Sequence, residues 1–137
     1  MILVDSNVFM YAAGAEHPHK EPSVRLLEQI ASGEIEAAID AEVLQEILHR
    51  YRAIGRWLEG SRLYEAVRRT VPLTFAITGE IVDSAHQLLD TQDGLSARDA
   101  LHAAVAIHHG ASAICSYDRD FDRLAEVKRL QPEALTR

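Results

Sequence analysis

The chain has 137 residues, of which 47% are hydrophobic and 26% are charged. This length and balance predict a single globular domain over residues 1–137, large enough to fold without disulfides or a structural metal. Its one cysteine, Cys115, excludes an intramolecular disulfide and a CxxC zinc site. No apolar run is long enough for a transmembrane helix, and the N-terminus lacks the segments of a signal peptide, so cytoplasmic residence is expected.

The net charge limits the ways in which this chain can bind nucleic acid. With 14 Lys and Arg against 21 Asp and Glu, the formal charge of −7 excludes binding by overall electrostatic attraction. Six arginines nevertheless lie within residues 50–69, where two glutamates oppose them. This cluster is either a solvated helical face or a surface for RNA phosphates. In the second interpretation, the predicted RNA contacts are Arg50, Arg52 and Arg56.

Short apolar runs alternate with amphipathic segments along the chain. The predicted strands are residues 1–4, 37–39, 72–75, 113–115 and 127–130. Predicted helices begin near Pro22 and Trp57 and after caps at Asp5, Asp40, Thr78 and Ser96. This alternation predicts a three-layer α/β/α fold around a mostly parallel sheet of four or five strands.

Acidic residues lie where a parallel sheet forms its binding sites. Asp5 directly follows the first predicted strand, and Asp118 lies three residues beyond Cys115 of the fourth. Asp99 lies in the first turn of the helix before that strand, and Glu46 lies on the helix after the second strand. Carboxylates that meet at one edge repel each other unless a cation neutralises them. Because Mg²⁺ and Mn²⁺ take oxygen ligands, these acids predict a metal site that activates water at a phosphodiester.

Each of these acids also has a purely structural interpretation. Asp5 can cap the first helix, and Asp99 can be the third-position member of a capping box that begins at Ser96. Glu46 borders the apolar stripe of its helix and can be a solvated surface residue, and Glu42 points further from that stripe. The sequence leaves these alternatives open.

The histidines permit a competing fold. His49, His86 and His102 each follow an acid by three residues, which is the acid-x-x-His spacing of di-iron or di-manganese proteins. The alternative fold would be a di-metal carboxylate helix bundle, which gives the strand-like segments no role. We therefore expect the histidines to be ordinary surface or interface residues, with His108 and His109 near a helix C-terminus.

Four segments of the sequence resemble PIN-domain nucleases, and the VapC-type toxins of bacterial toxin–antitoxin pairs in particular. These segments are MILVDSNV at residues 1–8, EVLQEIL at 42–48, SARDALHAAVA at 96–106 and ICSYDRDFD at 114–122. Their order and spacing carry the resemblance, which extends over nearly the whole chain.

The resemblance implies a set of catalytic residues. It places the acidic tetrad of the family on Asp5, Glu46, Asp99 and Asp118. Asp5, Asp99 and Asp118 would hold Mg²⁺ or Mn²⁺. Glu46 would orient or deprotonate the attacking water, or bind a second metal ion.

The fourth acid of this tetrad has two further candidates nearby in the sequence. Many toxins have asparagine at the position of Asp118 and an acid two residues later, so Asp120 and Asp122 are additional candidates. These acids can also form a solvated loop or cap a short helix. Ser6 and Ser116 are predicted to hydrogen-bond the carboxylates that bind the metal.

The resemblance also implies a function. It predicts a metal-dependent endoribonuclease that hydrolyses single-stranded RNA, forms a homodimer and binds a small antitoxin across its active-site groove. The alternative is a PIN fold that has lost catalysis and acts as an RNA- or protein-binding module. The complete set of acids argues against this alternative, because clustered carboxylates without a use cost stability.

Overall fold

A computed structural model describes all 137 residues, which form one five-stranded sheet covered by helices. The strands are β1 (Ile2–Val4), β2 (Ala37–Asp40), β3 (Thr74–Phe75), β4 (Ala113–Cys115) and β5 (Arg129–Leu130). All neighbouring strands are parallel, in the order β3-β2-β1-β4-β5. The predicted parallel α/β sheet is therefore confirmed, and the helix-bundle alternative is wrong.

Seven α-helices and one 3₁₀ helix connect and follow the strands. They are α1 (Ser6–Ala13), α2 (Lys20–Ala31), α3 (Ala41–Ala53), α4 (Trp57–Thr70), α5 (Gly79–Thr91), α6 (Ala97–His108), the 3₁₀ helix (Arg119–Arg123) and α7 (Pro132–Leu135). The predicted caps of α1, α3, α5 and α6 all form, since each capping side chain accepts a backbone N–H of its helix. None of these helices has the length and hydrophobicity that crossing a membrane requires.

The structure differs from the sequence prediction mainly at the ends of elements. α2 begins at Lys20, before the predicted start at Pro22. β3 and β5 each begin two residues later than predicted, because these edge strands pair on one side only and only over two residues. α7 is not predicted, because a helix of four residues is too short to show a helical period.

Both faces of the sheet are buried under helices. Successive residues of a strand point to opposite faces, so Ile2 and Val4 pack in one core with α1 to α4, whereas Leu3 packs in a second core with α5 and α6. β4 divides in the same way, with Cys115 in the first core and Ile114 in the second. This double burial explains why the central strands are continuous apolar runs.

The topology places a crevice beside β1. From β1 the chain adds β2 and β3 on one side and then returns to add β4 and β5 on the other. In such sheets, ligands bind outside the carboxyl ends of the strands, at the point where the strand order reverses. Asp5 and Ser116 directly follow β1 and β4, and the Asp5 N–H donates to the Cys115 carbonyl at 3.0 Å. The fold therefore brings the first and fourth predicted segments of the site together.

A close approach of α3 and α4 gives a test of this packing. A Cβ added at Gly60 would lie 2.3 Å from the Tyr51 Cβ. We expect Gly60→Ala to lower the free energy of unfolding by about 1–3 kcal/mol, because the methyl group forces the two helices apart. Gly79→Ala is the control, since a Cβ there meets nothing within 4 Å. Urea unfolding should show that Gly79→Ala leaves stability unchanged or raises it. Equal effects of the two substitutions would contradict the close packing of α3 against α4.

Candidate active site

Asp5 lies at the junction of β1 and α1 and is 5% exposed. Its Oδ1 accepts the Ser6 N–H at 2.7 Å, whereas its Oδ2 accepts the Ser116 hydroxyl at 2.6 Å and the Asn7 side-chain amide at 3.2 Å. Burial raises the pKa of Asp5, although the charge of His102 and the bond from Ser116 act in the opposite direction. Asp5 is thus both the cap of α1 and a member of a buried polar cluster.

Two serines connect acids that come from different elements. The Ser6 hydroxyl donates to Oε2 of Glu46 at 2.7 Å. The Ser116 hydroxyl donates to Asp5 and accepts the Asp118 N–H at 2.9 Å. The Glu46 side chain is only 14% exposed, so it is not the solvated helix residue that its position in the sequence permits. Ser6 thus connects Asp5 to Glu46 of α3, and Ser116 connects Asp5 to the backbone of Asp118.

His102 lies at the centre of this cluster and is 1% exposed. Its Nδ1 lies 2.7 Å from Oδ2 of Asp40, and its Nε2 lies 2.5 Å from Oε1 of Glu46 and 3.7 Å from Oδ1 of Asp5. Burial alone lowers the pKa of His102, but the hydrogen bonds to Asp40 and Glu46 outweigh burial and hold this pKa well above its usual value. The expectation of a surface or interface role is therefore wrong for His102, which is a buried cation among carboxylates.

Asp40 and His102 are the site residues that the sequence interpretation does not identify. Asp40 ends β2, so the rule that selects Asp5 at the end of β1 also applies to it. His102 follows Asp99 by three residues on α6, which places both side chains on one face of that helix. The acid-x-x-His spacing in the sequence could have identified His102. It does not show which acids of other elements contact this face of the helix.

Asp99 belongs to a second acidic group on the other side of Asp5. It is 9% exposed in the first turn of α6. The Ser96 hydroxyl accepts the Asp99 N–H at 3.1 Å, but the Asp99 carboxylate makes no return bond to the Ser96 backbone, so only half of the capping box forms. Burial, followed by the proximity of Asp118 and Asp5, raises the pKa of Asp99 to about 7. The carboxylate therefore faces other acids, not the helix start.

The loop after β4 contributes two of its three acids to this group. Carboxylate oxygens of Asp99, Asp118 and Asp120 lie within 4.8 Å of one another. Asp118 also accepts the Asp120 N–H at 2.9 Å, which starts the 3₁₀ helix. Asp122 instead forms a two-pronged ion pair with Arg129 at 3.0 and 3.1 Å. Its carboxylate is engaged outside the acidic group.

The chemistry of the donors indicates which residues suit a metal ion. Atoms of Asp5, Glu46 and His102 also lie within 4.8 Å of one another. When His102 is protonated, both of its N–H groups donate to carboxylates and it has no lone pair for a metal, so it then acts as a counter-cation to these acids. The carboxylate oxygens of Asp5, Asp99 and Asp118 are ligands that hard divalent cations prefer. The residues present therefore fit a divalent cation bound by carboxylates alone.

The three arginines predicted to contact RNA have different surroundings. Arg56 forms an ion pair with Glu59 through contacts of 2.9 and 2.6 Å. Arg52 lies over the ring of Trp57, 5.5 Å from its centroid. Arg50 lies in the last turn of α3, where it forms no ion pair and lines a groove with Asn7. Of these three arginines, only Arg50 has no partner within the chain.

Comparison with known proteins places the chain in a family. The PIN domain family matches residues 2–127. Ribonuclease VapC13 of Mycobacterium tuberculosis is 47% identical over 130 residues, which cover 95% of this chain and 99% of that protein. The chain belongs to the PIN-domain family and, within it, to the VapC ribonucleases. The resemblance found in the four sequence segments is therefore confirmed.

Two solved structures share the fold of this chain. VapBC2 from Rickettsia felis, bound to a DNA fragment from their promoter, superposes with a TM-score of 0.75 at 19% identity, over 96% of this chain and 98% of that one. A toxin–antitoxin complex from Klebsiella pneumoniae superposes with a TM-score of 0.69 at 16% identity, over 96% of this chain and 98% of that one. At these identities the likeness establishes the fold.

The buried position of His102 in this VapC-family protein predicts a large effect on stability. We expect His102→Ala to lower the free energy of unfolding by about 3–5 kcal/mol, because it leaves Asp40 and Glu46 without their buried cation. His86→Ala is the matched control: the His86 side chain is 76% exposed and lies 3.9 Å from Asp90. This control should change stability by no more than about 0.5 kcal/mol in urea unfolding with EDTA. Similar values for the two variants would contradict the buried ion-pair cluster.

The raised pKa of Asp99 predicts how stability depends on pH. The pKa is about 7 in the folded protein against an ordinary value of 3.8, so protonated Asp99 contributes stability that is complete below about pH 4 and is lost as the pH rises through about 7. Asparagine does not ionise. We therefore expect Asp99→Asn to raise the melting temperature in EDTA at about pH 8, with the gain shrinking towards about pH 4. A lower melting temperature at about pH 8 would instead favour the capping-box role.

Proposed function

We propose that residues 1–137 act as one metal-dependent endoribonuclease domain that hydrolyses phosphodiesters of single-stranded RNA. The convergence of Asp5, Glu46, Asp99 and Asp118 at the carboxyl edge of the sheet carries this proposal. The 47% identity to a VapC ribonuclease over nearly the whole chain supports it.

The acidic residues have different roles in the proposed reaction. Asp5, Asp99 and Asp118 would hold the cation, Mg²⁺ or Mn²⁺, with Asp120 as a further oxygen donor beside them. When bound, a divalent cation lowers the pKa of a water molecule and screens the carboxylates from the RNA phosphate. The charge of Asp5 acts on Asp99, which supports a shared role of these two acids in holding the cation.

Glu46 acts on the attacking water. Its Oε2 accepts the Ser6 hydroxyl and its Oε1 accepts an N–H of His102, so the carboxylate is held in one orientation. Each oxygen retains a second lone pair, with which Glu46 orients the water or takes its proton. His102 positions Glu46 through this bond and is itself held by Asp40 at 2.7 Å.

The biological role that we propose is that of a toxin controlled by a small antitoxin protein. The shared fold with the Klebsiella pneumoniae toxin–antitoxin complex supports this role. Three large apolar side chains around the start of α4 are exposed, namely Ile54 at 41%, Trp57 at 43% and Leu58 at 64%. Such a group of exposed apolar side chains suits contacts with another protein chain, either the antitoxin or the second subunit of a homodimer.

Cleavage of single-stranded RNA in Mg²⁺ or Mn²⁺ tests these assignments. We expect Asp5→Asn and Asp99→Asn each to lower the cleavage rate at least about 100-fold, because each removes charge that holds the cation. Asp118→Asn should lower the rate more than Asp120→Asn. Asp122→Asn is the matched control and should cleave like the wild type, since Asp122 is paired with Arg129.

Metal removal and the ranking of the variants decide between the alternatives. EDTA should abolish cleavage by the wild type. A folded wild type that binds RNA without cleaving it in either metal would indicate an inactive binding module. A loss confined to Asp120→Asn would move the fourth acid from Asp118 to Asp120.

A further inference from the structure

A groove of about 620 Å³ lies beside the acidic centre, between α1 and the turn that joins α3 to α4. Asn7, Met10 and Tyr11 line it from α1, and Arg50 and Ile54 line it from the end of α3. Its volume lies within the roughly 300–1,000 Å³ that is typical of sites for small ligands. The groove thus offers apolar, aromatic and cationic contacts to one ligand.

Asn7 connects this groove to the acidic centre. Its side-chain amide donates to Oδ2 of Asp5 at 3.2 Å and to the Ser116 hydroxyl at 3.0 Å. Its Oδ1 accepts the Tyr117 N–H at 3.4 Å. Because Asn7 also lines the groove, a ligand there lies one side chain away from the carboxylates.

Arg50 supplies the uncompensated positive charge of the groove. Arg56 also lines the groove, but two contacts of 2.9 and 2.6 Å pair it with Glu59, which is a lining residue as well. The chain has a net charge of −7, and the groove lies next to an acidic centre. The unpaired guanidinium of Arg50 is therefore a local positive charge that favours an anionic ligand in this groove. Its planar N–H groups match a phosphate in particular.

Tyr11 presents an ordered aromatic ring at the groove. The ring packs edge-on against His19 and Tyr117, at centroid distances of 5.0 and 5.3 Å, and tilted against His17 at 4.7 Å. Because these neighbours already order the ring, stacking on it costs little entropy. Single-stranded RNA is bound by stacking of bases on such rings, a contact that needs no positive charge and so suits an acidic protein.

We propose that this groove binds one nucleotide of the RNA strand adjacent to the phosphate that is cleaved, with its base on Tyr11 and a backbone phosphate on Arg50. The inference rests on the proposed ribonuclease function and adds to it the subsite that positions the strand. Arg52 lies outside this groove, over Trp57, so we expect it to make no contribution to binding there.

The experiment measures binding of a fluorescein-labelled single-stranded RNA of mixed sequence by anisotropy, at several salt concentrations. All variants carry Asp99→Asn so that the RNA stays intact. Tyr11→Leu should lower the affinity about tenfold, whereas Tyr11→Phe, which keeps the ring, should bind like its parent. Arg50→Gln should reduce the salt dependence of log K by about one unit, and Arg52→Gln, the matched control, should not.

The outcomes separate this subsite from the proposed function. Unchanged affinity in Tyr11→Leu, or an unchanged salt slope in Arg50→Gln, overturns the subsite and leaves the groove to a protein partner. If Tyr11→Leu does not fold, the comparison of Arg50→Gln with Arg52→Gln decides. Absence of metal-dependent cleavage by the wild type contradicts the ribonuclease function, whereas cleavage together with unaltered binding by the variants contradicts the subsite alone.

Discussion

Repulsion among carboxylates is the constraint on which the rest of this site depends. Acids from separate segments meet at the carboxyl edge of the sheet, where the N-terminal ends of three helices also point. Asp5 and Asp40 cap α1 and α3, and Asp99 lies in the first turn of α6. The partial positive charge of these helix ends favours carboxylates there. Helix ends alone do not balance so many buried charges, so the fold needs cations at this edge.

Cations of two different kinds suit the acids on the two sides of Asp5, because each can offset the repulsion among carboxylates. On one side the cation is built into the chain, because His102 lies between Asp40 and Glu46 and remains protonated. On the other side Asp99 and Asp118 form no ion pair, and burial together with Asp118 raises the pKa of Asp99 to about 7 against the opposing charge of His102. A bound divalent cation would relieve that repulsion, which would link metal binding to folding stability. Asp99 and Asp118, which form no ion pair, are the acids of this group that suit a metal.

An acidic nuclease must also bind a polyanion without a continuous basic surface. Several of its arginines form ion pairs within the chain, as Arg56 does with Glu59 and Arg129 with Asp122. Stacking of a base on the Tyr11 ring and a phosphate contact with the unpaired guanidinium of Arg50 give affinity that does not depend on the net charge of the protein. Binding of this kind depends less on salt than binding by a basic patch, because few phosphates are neutralised.

The sequence by itself determined the elements of this protein, because strand runs, helical periods and caps are encoded within a few neighbouring residues. It also placed Asp5 at a strand end and Asp99 in a first helical turn, and the family resemblance identified them as site residues. Only the tertiary structure decided the partners of His102, which are 62 and 56 residues away in Asp40 and Glu46. It likewise separated Asp122 from the acidic group by pairing it with Arg129 of an edge strand. Such contacts depend on which strands are neighbours in the sheet, and strand order is not a property of any local stretch of sequence.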